Sequence, residues 1–322
     1  MAADPATPER TPPTGRLSPR AGMALGALGV SASAIFIDLS GTSPGTAPFF
    51  RCMLALPLLW PFALRERCRH GGLSRRRRAM AVLAGVLFAG DALLWTQAIY
   101  EVGAGLSTVL VNAQVVIVPL LALLIDRERV GRRFLVSLPF MVAGILLTGG
   151  VFQTGAAGSD PTAGTIHAIL AALCYSGFLF LLRRGGHTGQ VVQSYRDVIA
   201  AAAIVSIIAG ALWHGVTVAP GWAPLGWLAL TAVCGQVLGW LLVALATPHL
   251  SSTVGAALLM LTPVGALILS ALALGEQPTA LQLLGSVVVL ASAYTASSST
   301  TPWRRPAAAL LRRLRKPPDP TQ

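Results

Sequence analysis

The chain has 322 residues, of which 54% are hydrophobic and only 11% are charged, and its mean hydropathy is +0.68. Soluble globular domains carry about 25% charged residues, so this composition excludes an arrangement of soluble domains. The formal net charge of +12 does not indicate nucleic-acid binding, because the cationic residues lie between or beyond apolar segments. The composition predicts a polytopic membrane protein.

The predicted elements follow one another along the whole chain. Residues 1–21 are rich in Pro, Thr and Arg and are predicted to be a disordered tail. About ten apolar segments follow, and each is long enough to cross a bilayer. The expected spans are residues 22–41, 45–64, 79–100, 103–125, 133–151, 163–182, 192–213, 222–245, 251–274 and 279–297. The basic segment 298–322 is predicted to be a second tail, either a helix on the inner leaflet or a solvated anchor.

The start of the first span also has the features of a secretory signal peptide, with a basic beginning and a small-residue site at 32–34. The apolar run nevertheless continues through Ile37, and further spans follow it. We therefore expect an uncleaved first helix.

The positions of the cationic residues predict the orientation. With the N-terminus inside, all but two of the 24 Lys and Arg residues fall in segments expected on the inner side. Both termini are therefore predicted to be cytoplasmic. The two exceptions, Arg51 and Arg196, begin the second and seventh spans, 145 positions apart (196 − 51). They occupy equivalent places in two halves of five spans each, and because five is odd, the second half is expected to be inverted relative to the first.

A second register also indicates two repeats. Glu128 and Glu276 lie 148 positions apart (276 − 128), each at a span boundary. The first repeat is predicted over 22–151 and the second over 163–297, with an outer loop at 152–162. The expected fold is thus all-α, with about ten transmembrane helices in two inverted five-helix repeats. Inverted repeats are typical of secondary transporters, whose sites lie near the membrane midplane.

The ninth and tenth spans carry a specific pattern: Leu-Thr-Pro-Val-Gly at 261–265, Leu-Gly-Glu at 274–276, and Gln282-x-x-Gly285. With Arg51 at the start of the second span, this pattern resembles the EamA-type transporters of the drug/metabolite transporter superfamily. The first-half copy is degenerate, since Val115 stands where the Pro would align and Ser137 replaces the Gly. The resemblance covers about residues 22–297. It implies a ten-helix fold with a central cavity, and transport, often export, of amino acids, other metabolites or drugs.

Asp91 is the first candidate for the substrate cavity. A charge at the bilayer centre costs about 2.5–3.5 kcal/mol, so ionisable residues inside spans are functional candidates. Trp95 lies four residues on, on the same helical face. A shift of 145 positions maps this pair onto Gln236 and Trp240 in the eighth span. We expect the four residues to line the cavity, with Asp91 binding an amine or a coupling proton; the alternative is that Asp91 and Trp95 are structural.

Four further polar residues are also candidates for the cavity. Asn112 and Gln114 point roughly 200° apart on the helical wheel, so at most one is expected to meet substrate. Hydrogen bonding between helices is the alternative for both. His167 and Tyr175 lie two turns apart on the sixth span and could face the cavity. An interfacial position is the alternative for His167, and a pH-sensing role is also open because histidine can change charge near neutral pH.

Two ionic pairs inside the spans are predicted to be structural or gating. Asp38 and Arg51 lie near the outer ends of the first two spans and are expected to form a salt bridge, with anion binding by Arg51 as the alternative. Arg196 and Asp197 are adjacent on a helix and should diverge, so Arg196 is expected to need another partner.

The remaining structural predictions concern helix ends and bends. Glu128 and Glu276 are expected to cap the helices that follow them. Pro263 is expected to bend the ninth span, and other prolines inside spans are expected to bend theirs.

The sequence contains no P-loop, no Cys/His metal-binding spacing and no nucleophile elbow, so no enzyme activity, cofactor or metal is predicted.

We expect secondary active export of small metabolites such as amino acids by alternating access. The alternatives are efflux of lipophilic cations or drugs and, in another class, a membrane-embedded lipid-binding or assembly protein. Substrate and membrane lipid are the expected partners, and a coupling proton and a homodimer are left open. The use of Arg over Lys is typical of a GC-rich genome and favours a bacterial plasma membrane.

Overall fold

The structure, a computed structural model, describes residues 18–126, 132–185, 190–246, 250 and 258–297. Glu128 and the segment 298–322 lie outside the described residues. The helices are α1 Pro19–Ser40, α2 Thr46–His70, α3 Arg75–Val102, α4 Ala104–Val111, α5 Gln114–Asp126, α6 Arg132–Thr148, α7 Pro161–Gly185, α8 Val191–Trp213, α9 Trp222–Leu230, a π-helical segment Thr231–Gly239, α10 Trp240–Ala246, α11 Leu261–Ala273 and α12 Ala280–Ser297. Over this part of the chain no strand is present.

The helices are long and apolar enough for a membrane protein. Within the described ranges, 7 helical segments have the length and hydropathy to cross a bilayer, and shorter apolar helices cover 133–148, 261–273 and 280–296. Large apolar side chains remain exposed on their outer faces, among them Phe140 and Leu272. Lipid is the solvent that would accept these side chains. The predicted all-helical membrane fold is confirmed in this respect.

Two helices extend further at their Arg-rich ends than the sequence predicted. The second span was expected to end at residue 64, but α2 continues to His70, and α3 begins at Arg75 and not at 79. Long cationic side chains can stay hydrated in the headgroup region while their helix continues, so the helix need not end with the apolar run. Ser74 caps α3, with its hydroxyl 3.4 Å from the Arg77 amide.

Two predicted spans are interrupted. Asn112 and Ala113 separate α4 from α5, because their amides bond three residues back, to Val109 and Leu110, and tighten the last turn. Met260 occupies the corresponding place before α11, 148 positions later (260 − 112), and the Asn112 side-chain nitrogen lies 3.6 Å from its sulfur. The two interruptions therefore meet.

Pro263 lies in the first turn of α11 and not in the middle of a bent helix. A proline at this position sacrifices no hydrogen bond within the helix. The carbonyl of Thr262 accepts a hydrogen bond of 2.9 Å from the Ser31 hydroxyl on α1. This hydrogen bond joins the start of α11 to α1.

Glu276 caps a helix, but the helix is α4 and not α12, which follows it. Its carboxylate accepts hydrogen bonds from the amides of Ala104 and Gly105, at 2.6 and 3.2 Å. The prediction that Glu276 caps the following helix is therefore wrong. Sequence neighbours suggested α12, whereas folding brings the loop after α11 against the positive end of α4.

Helices α2 and α8 run antiparallel along each other. At one end, the Thr217 amide donates to the Thr46 hydroxyl at 2.9 Å. At the other end, the Glu66 carboxylate accepts from the Val192 and Gln193 amides, at 3.2 and 2.7 Å. The start of each helix therefore contacts the end of the other, and both ends of the pair are fixed by hydrogen bonds.

The other helices also pack along one another. Helix α3 lies along α7, and α1 lies along α9, the π-helical segment and α10. Glycines permit the approach of α1 to the π-helical segment, since a Cβ at Gly29 would lie 2.7 Å from the Cys234 carbonyl oxygen. Helices α6 and α12 are similarly close at Gly144 and Gly285.

Candidate substrate site

Arg51 lies at the centre of a buried polar site. It occupies the second turn of α2 and is only 5% exposed. Its Nη2 donates a hydrogen bond of 2.6 Å to Oε1 of Gln236 in the π-helical segment. The guanidinium carbon lies 5.4 Å from the ring centroid of Phe88 and 5.5 Å from that of Trp95, within the range of cation–π contacts.

The predicted salt bridge between Asp38 and Arg51 is wrong. Arg51 contacts Gln236 and two aromatic rings, whereas the Asp38 carboxylate lies near Glu276 and Tyr100. Linear counting places both residues near the outer end of their spans. The long arginine side chain instead lies along aromatic faces toward the interior.

Asp91 belongs to the same site. It is 5% exposed on α3, on the helical face that also presents Phe88 and Trp95. The Asp91 carboxylate interacts electrostatically with Arg51, although no ion pair joins the two side chains. The site therefore contains one buried cation and one buried carboxylate that do not neutralise each other by direct contact.

Several hydrogen-bond donors of the site are buried without a partner among the described residues. They are Nε and Nη1 of Arg51, Nε1 of Trp95 and Nε2 of Gln236. Buried polar groups in native proteins are nearly all hydrogen-bonded. All four orphan groups are N–H donors, so the site has an excess of donors around Arg51.

An aromatic cluster adjoins these polar groups. The Trp240 ring lies 6.0 Å from Tyr175, 5.9 Å from Phe178 and 6.2 Å from Tyr195. Phe178 also contacts Phe88, at 5.0 Å between centroids. The Tyr195 hydroxyl donates a hydrogen bond of 3.1 Å to the Gln236 carbonyl oxygen.

The sequence analysis did not identify Phe88, Phe178 and Tyr195 as site residues. Phe88 could have been found, because 88, 91 and 95 follow helical spacing on one face. The π-helical segment gave no such signal, and π-helical turns occur frequently at functional sites. Tyr195 bonds a carbonyl within that segment, which links α8 to the position of Gln236.

Three of the predicted cavity residues, His167, Asn112 and Gln114, take no part in the contacts around Arg51. His167 contacts Glu101, with Nδ1 2.6 Å from Oε2, and its ring lies 6.0 Å from that of Trp213. Asn112 lies at the interruption between α4 and α5. Gln114 begins α5, and its Oε1 is buried without a partner among the described residues. Asp91, Trp95, Tyr175, Gln236 and Trp240 are brought together around Arg51.

Arg196 and Asp197 do pair, contrary to the prediction. Nε of Arg196 donates to Oδ1 of Asp197 at 3.0 Å, and the guanidinium lies 5.1 Å from the Trp60 ring. Oδ2 of Asp197 is 3.5 Å from Nε of Arg78. Adjacent side chains leave a helix in different directions, but the arginine side chain is long enough to fold back onto its neighbour.

A bundle of apolar helices around a buried, charged site is typical of a multi-pass membrane protein of the transporter class. The model of the EamA-like transporter family matches residues 21–150 and, a second time, residues 162–298. The chain therefore belongs to the EamA-like transporter family, and the predicted resemblance is confirmed.

Solved structures agree on the fold. Of the 22 solved chains that match, one crystal structure superposes with a TM-score of 0.57 at 15% identity. The match covers 92% of this chain and 99% of that chain. A search of the curated proteins found no match.

Proposed function

We propose that the chain exports a small polar or amphipathic metabolite, such as an amino acid, across a bacterial plasma membrane by secondary active transport. The observation that supports this most is the hydrogen bond from Arg51 to Gln236, because it joins the two segments that the family model matches separately. A buried site shared by two halves can face one side of the membrane and then the other when the halves move.

The architecture proposed is that of two inverted five-helix repeats, over 22–151 and 163–297. Helices in equivalent places of the two halves pack on each other, α2 on α8 and α6 on α12. Contact between equivalent elements is expected close to a twofold axis. The antiparallel course of α2 and α8, and the contact of Asn112 with Met260, support such an axis in the membrane plane.

Asp91 is proposed to bind either the amine of the substrate or a coupling proton. Its carboxylate is buried, and among the described residues none donates a hydrogen bond to it. An amine and a proton would then compete for one group. Such competition exchanges an outgoing amine for an incoming proton, which is how a proton gradient could drive export.

The two alternative functions are less well supported. Efflux of lipophilic cations would use an acidic aromatic pocket of Asp91, Trp95 and Trp240, but the Arg51 guanidinium already lies over the Trp95 ring. A lipid-binding or assembly role would need a site that opens sideways into lipid. Arg51, Asp91 and Gln236 are instead 5%, 5% and 1% exposed, between helices of both halves.

The experiment compares spent media of cells that overproduce the wild type, Asp91→Asn or Asp160→Asn at matched membrane levels. Asp160 caps α7 outside the site, and asparagine caps equally well, so this variant controls for the substitution itself. We expect untargeted profiling to find a metabolite enriched by the wild type and Asp160→Asn only. Enrichment by all three would contradict the role of Asp91, and enrichment by none would contradict export.

A further inference from the structure

The buried N–H donors around Arg51 that have no partner require a hydrogen-bond acceptor. Each buried donor without a partner costs about 1–3 kcal/mol, and more when the group is charged. Arg51, Trp95 and Gln236 are 5%, 8% and 1% exposed, so bulk water does not satisfy them. Four such N–H groups lie on three adjoining side chains, whereas buried polar groups in native proteins are nearly all hydrogen-bonded.

The orientation of Gln236 adds to the excess of donors. Its amide oxygen is already used, because it accepts the hydrogen bond from Arg51 Nη2. The amide nitrogen is therefore left as a donor, beside the two free nitrogens of the guanidinium. In the described part of the site the one carboxylate near these groups is Asp91, and it forms no ion pair with Arg51.

We propose that Arg51, Trp95 and Gln236 bind the carboxylate group of the transported molecule. A guanidinium pairs well with a carboxylate, since the charge-assisted hydrogen bonds are about twice as strong as neutral ones. The Trp95 and Gln236 N–H groups would hold the same two oxygens. The inference rests on the proposed transport function and specifies its substrate class as carboxylic acids.

The two charges of the site then have different roles. The carboxylate of the ligand would bind at Arg51, and an amine, when the ligand has one, would bind at Asp91. The aromatic cluster of Tyr175, Phe178, Tyr195 and Trp240 adjoins both groups and offers an apolar surface to the rest of the molecule. The Arg51–Gln236 hydrogen bond also joins the two halves, so a ligand oxygen that replaces Gln236 would loosen that link.

The test measures thermal stabilisation of the purified full-length protein by amino acids and by short mono- and dicarboxylates, each paired with its carboxamide. We expect at least one carboxylate to raise the midpoint of unfolding and its carboxamide to have no effect. This comparison needs no variant, so it is independent of folding defects. Equal stabilisation by acid and amide, or no response to any acid, would overturn the proposal.

Two variants identify the residues. Arg51→Gln should abolish the stabilisation, and Trp95→Phe, which keeps the aromatic ring but removes the N–H, should weaken it about tenfold. Trp227→Phe is the matched control, because Trp227 stacks on Phe36 and is not one of the two rings under Arg51, and it should bind as the wild type does. Unchanged binding in Trp95→Phe would remove Trp95 from the site, and unchanged binding in Arg51→Gln would overturn the proposal.

Failure of the transport function can be distinguished from failure of the carboxylate site. Export without any preference for acid over amide would leave the transporter proposal intact and overturn the carboxylate site. Acid-selective binding without export from cells would support the carboxylate site and contradict the proposed function.

Discussion

An arginine inside an apolar helix needs partners for five N–H donors, and the identity of those partners decides what the residue can do. Arg51 has one protein acceptor, Gln236, and two aromatic rings. Its counterpart Arg196 has the Asp197 carboxylate and the Trp60 ring. Of two arginines that the predicted repeat aligns, Arg196 is therefore paired with a carboxylate and Arg51 is not.

This difference leads to a prediction for lysine substitutions. Arg51→Lys keeps the charge but replaces a planar guanidinium by a compact ammonium. The ammonium cannot lie over two rings and donate a hydrogen bond to Gln236 at the same time. We expect the carboxylate concentration for half-maximal thermal stabilisation to rise about tenfold. Arg196→Lys is the matched control and should leave that concentration unchanged. Equal effects of the two substitutions would contradict the special role of Arg51.

Helix ends and helix contacts act at the level of the element. Two glutamates, Glu276 and Glu66, each receive two backbone amides at the start of a helix distant in sequence, α4 and α8 respectively. Each carboxylate satisfies amides that the helix cannot satisfy itself and interacts with the positive end of the helix dipole. Such caps tie one half of the chain to the other.

Removing either negative charge should weaken the fold. Glu276→Gln and Glu66→Gln each keep one acceptor and lose the charge, which is typically worth about 0.3–1 kcal/mol at a helix start and up to about 2 kcal/mol when partly buried. We expect both purified variants to unfold at a lower midpoint temperature than the wild type. An unchanged midpoint in both would contradict the capping role.

The contact of α1 with the π-helical segment predicts a contrast between two glycines. A Cβ at Gly29 would lie 2.7 Å from the Cys234 carbonyl oxygen, whereas a Cβ at Gly226 meets nothing within 4 Å. Gly29→Ala should therefore destabilise the protein by about 1–3 kcal/mol. Gly226→Ala, also in a helix, should be neutral or stabilising by about 1 kcal/mol. Denaturation of both variants in detergent measures the contrast, and equal stabilities would contradict the close contact.

At the scale of the whole molecule, the sequence predicted the helical membrane fold and the family, because apolar length and the pattern around Pro263 are properties of the chain itself. It also selected Asp91, Trp95, Gln236 and Trp240 from helical spacing and the repeat offset. Periodicity does not say which helices meet, so the partners of Arg51 and Glu276 were assigned wrongly. The π-helical segment packs closely against α1, and no local pattern in the sequence indicates it.

The proposed inversion makes equivalent positions of the two halves emerge on opposite sides of the membrane. Gly72 and Thr217 lie 145 positions apart (217 − 72), and both are exposed outside the helices. In a background with the native Cys52, Cys68, Cys174 and Cys234 replaced, Thr217→Cys should react with an impermeant maleimide in intact cells. Gly72→Cys should react only after permeabilisation, because its Arg-rich surroundings are expected inside.

The labelling experiment needs a control for access to the outer surface. Ser159→Cys, in the segment between α6 and α7, is exposed and should react in intact cells as Thr217→Cys does. Reaction of Gly72→Cys and Thr217→Cys from the same side would contradict the inversion, since a parallel repeat places equivalent residues on one face. Reaction from opposite sides, together with the antiparallel α2 and α8, is what an alternating site between two inverted halves requires.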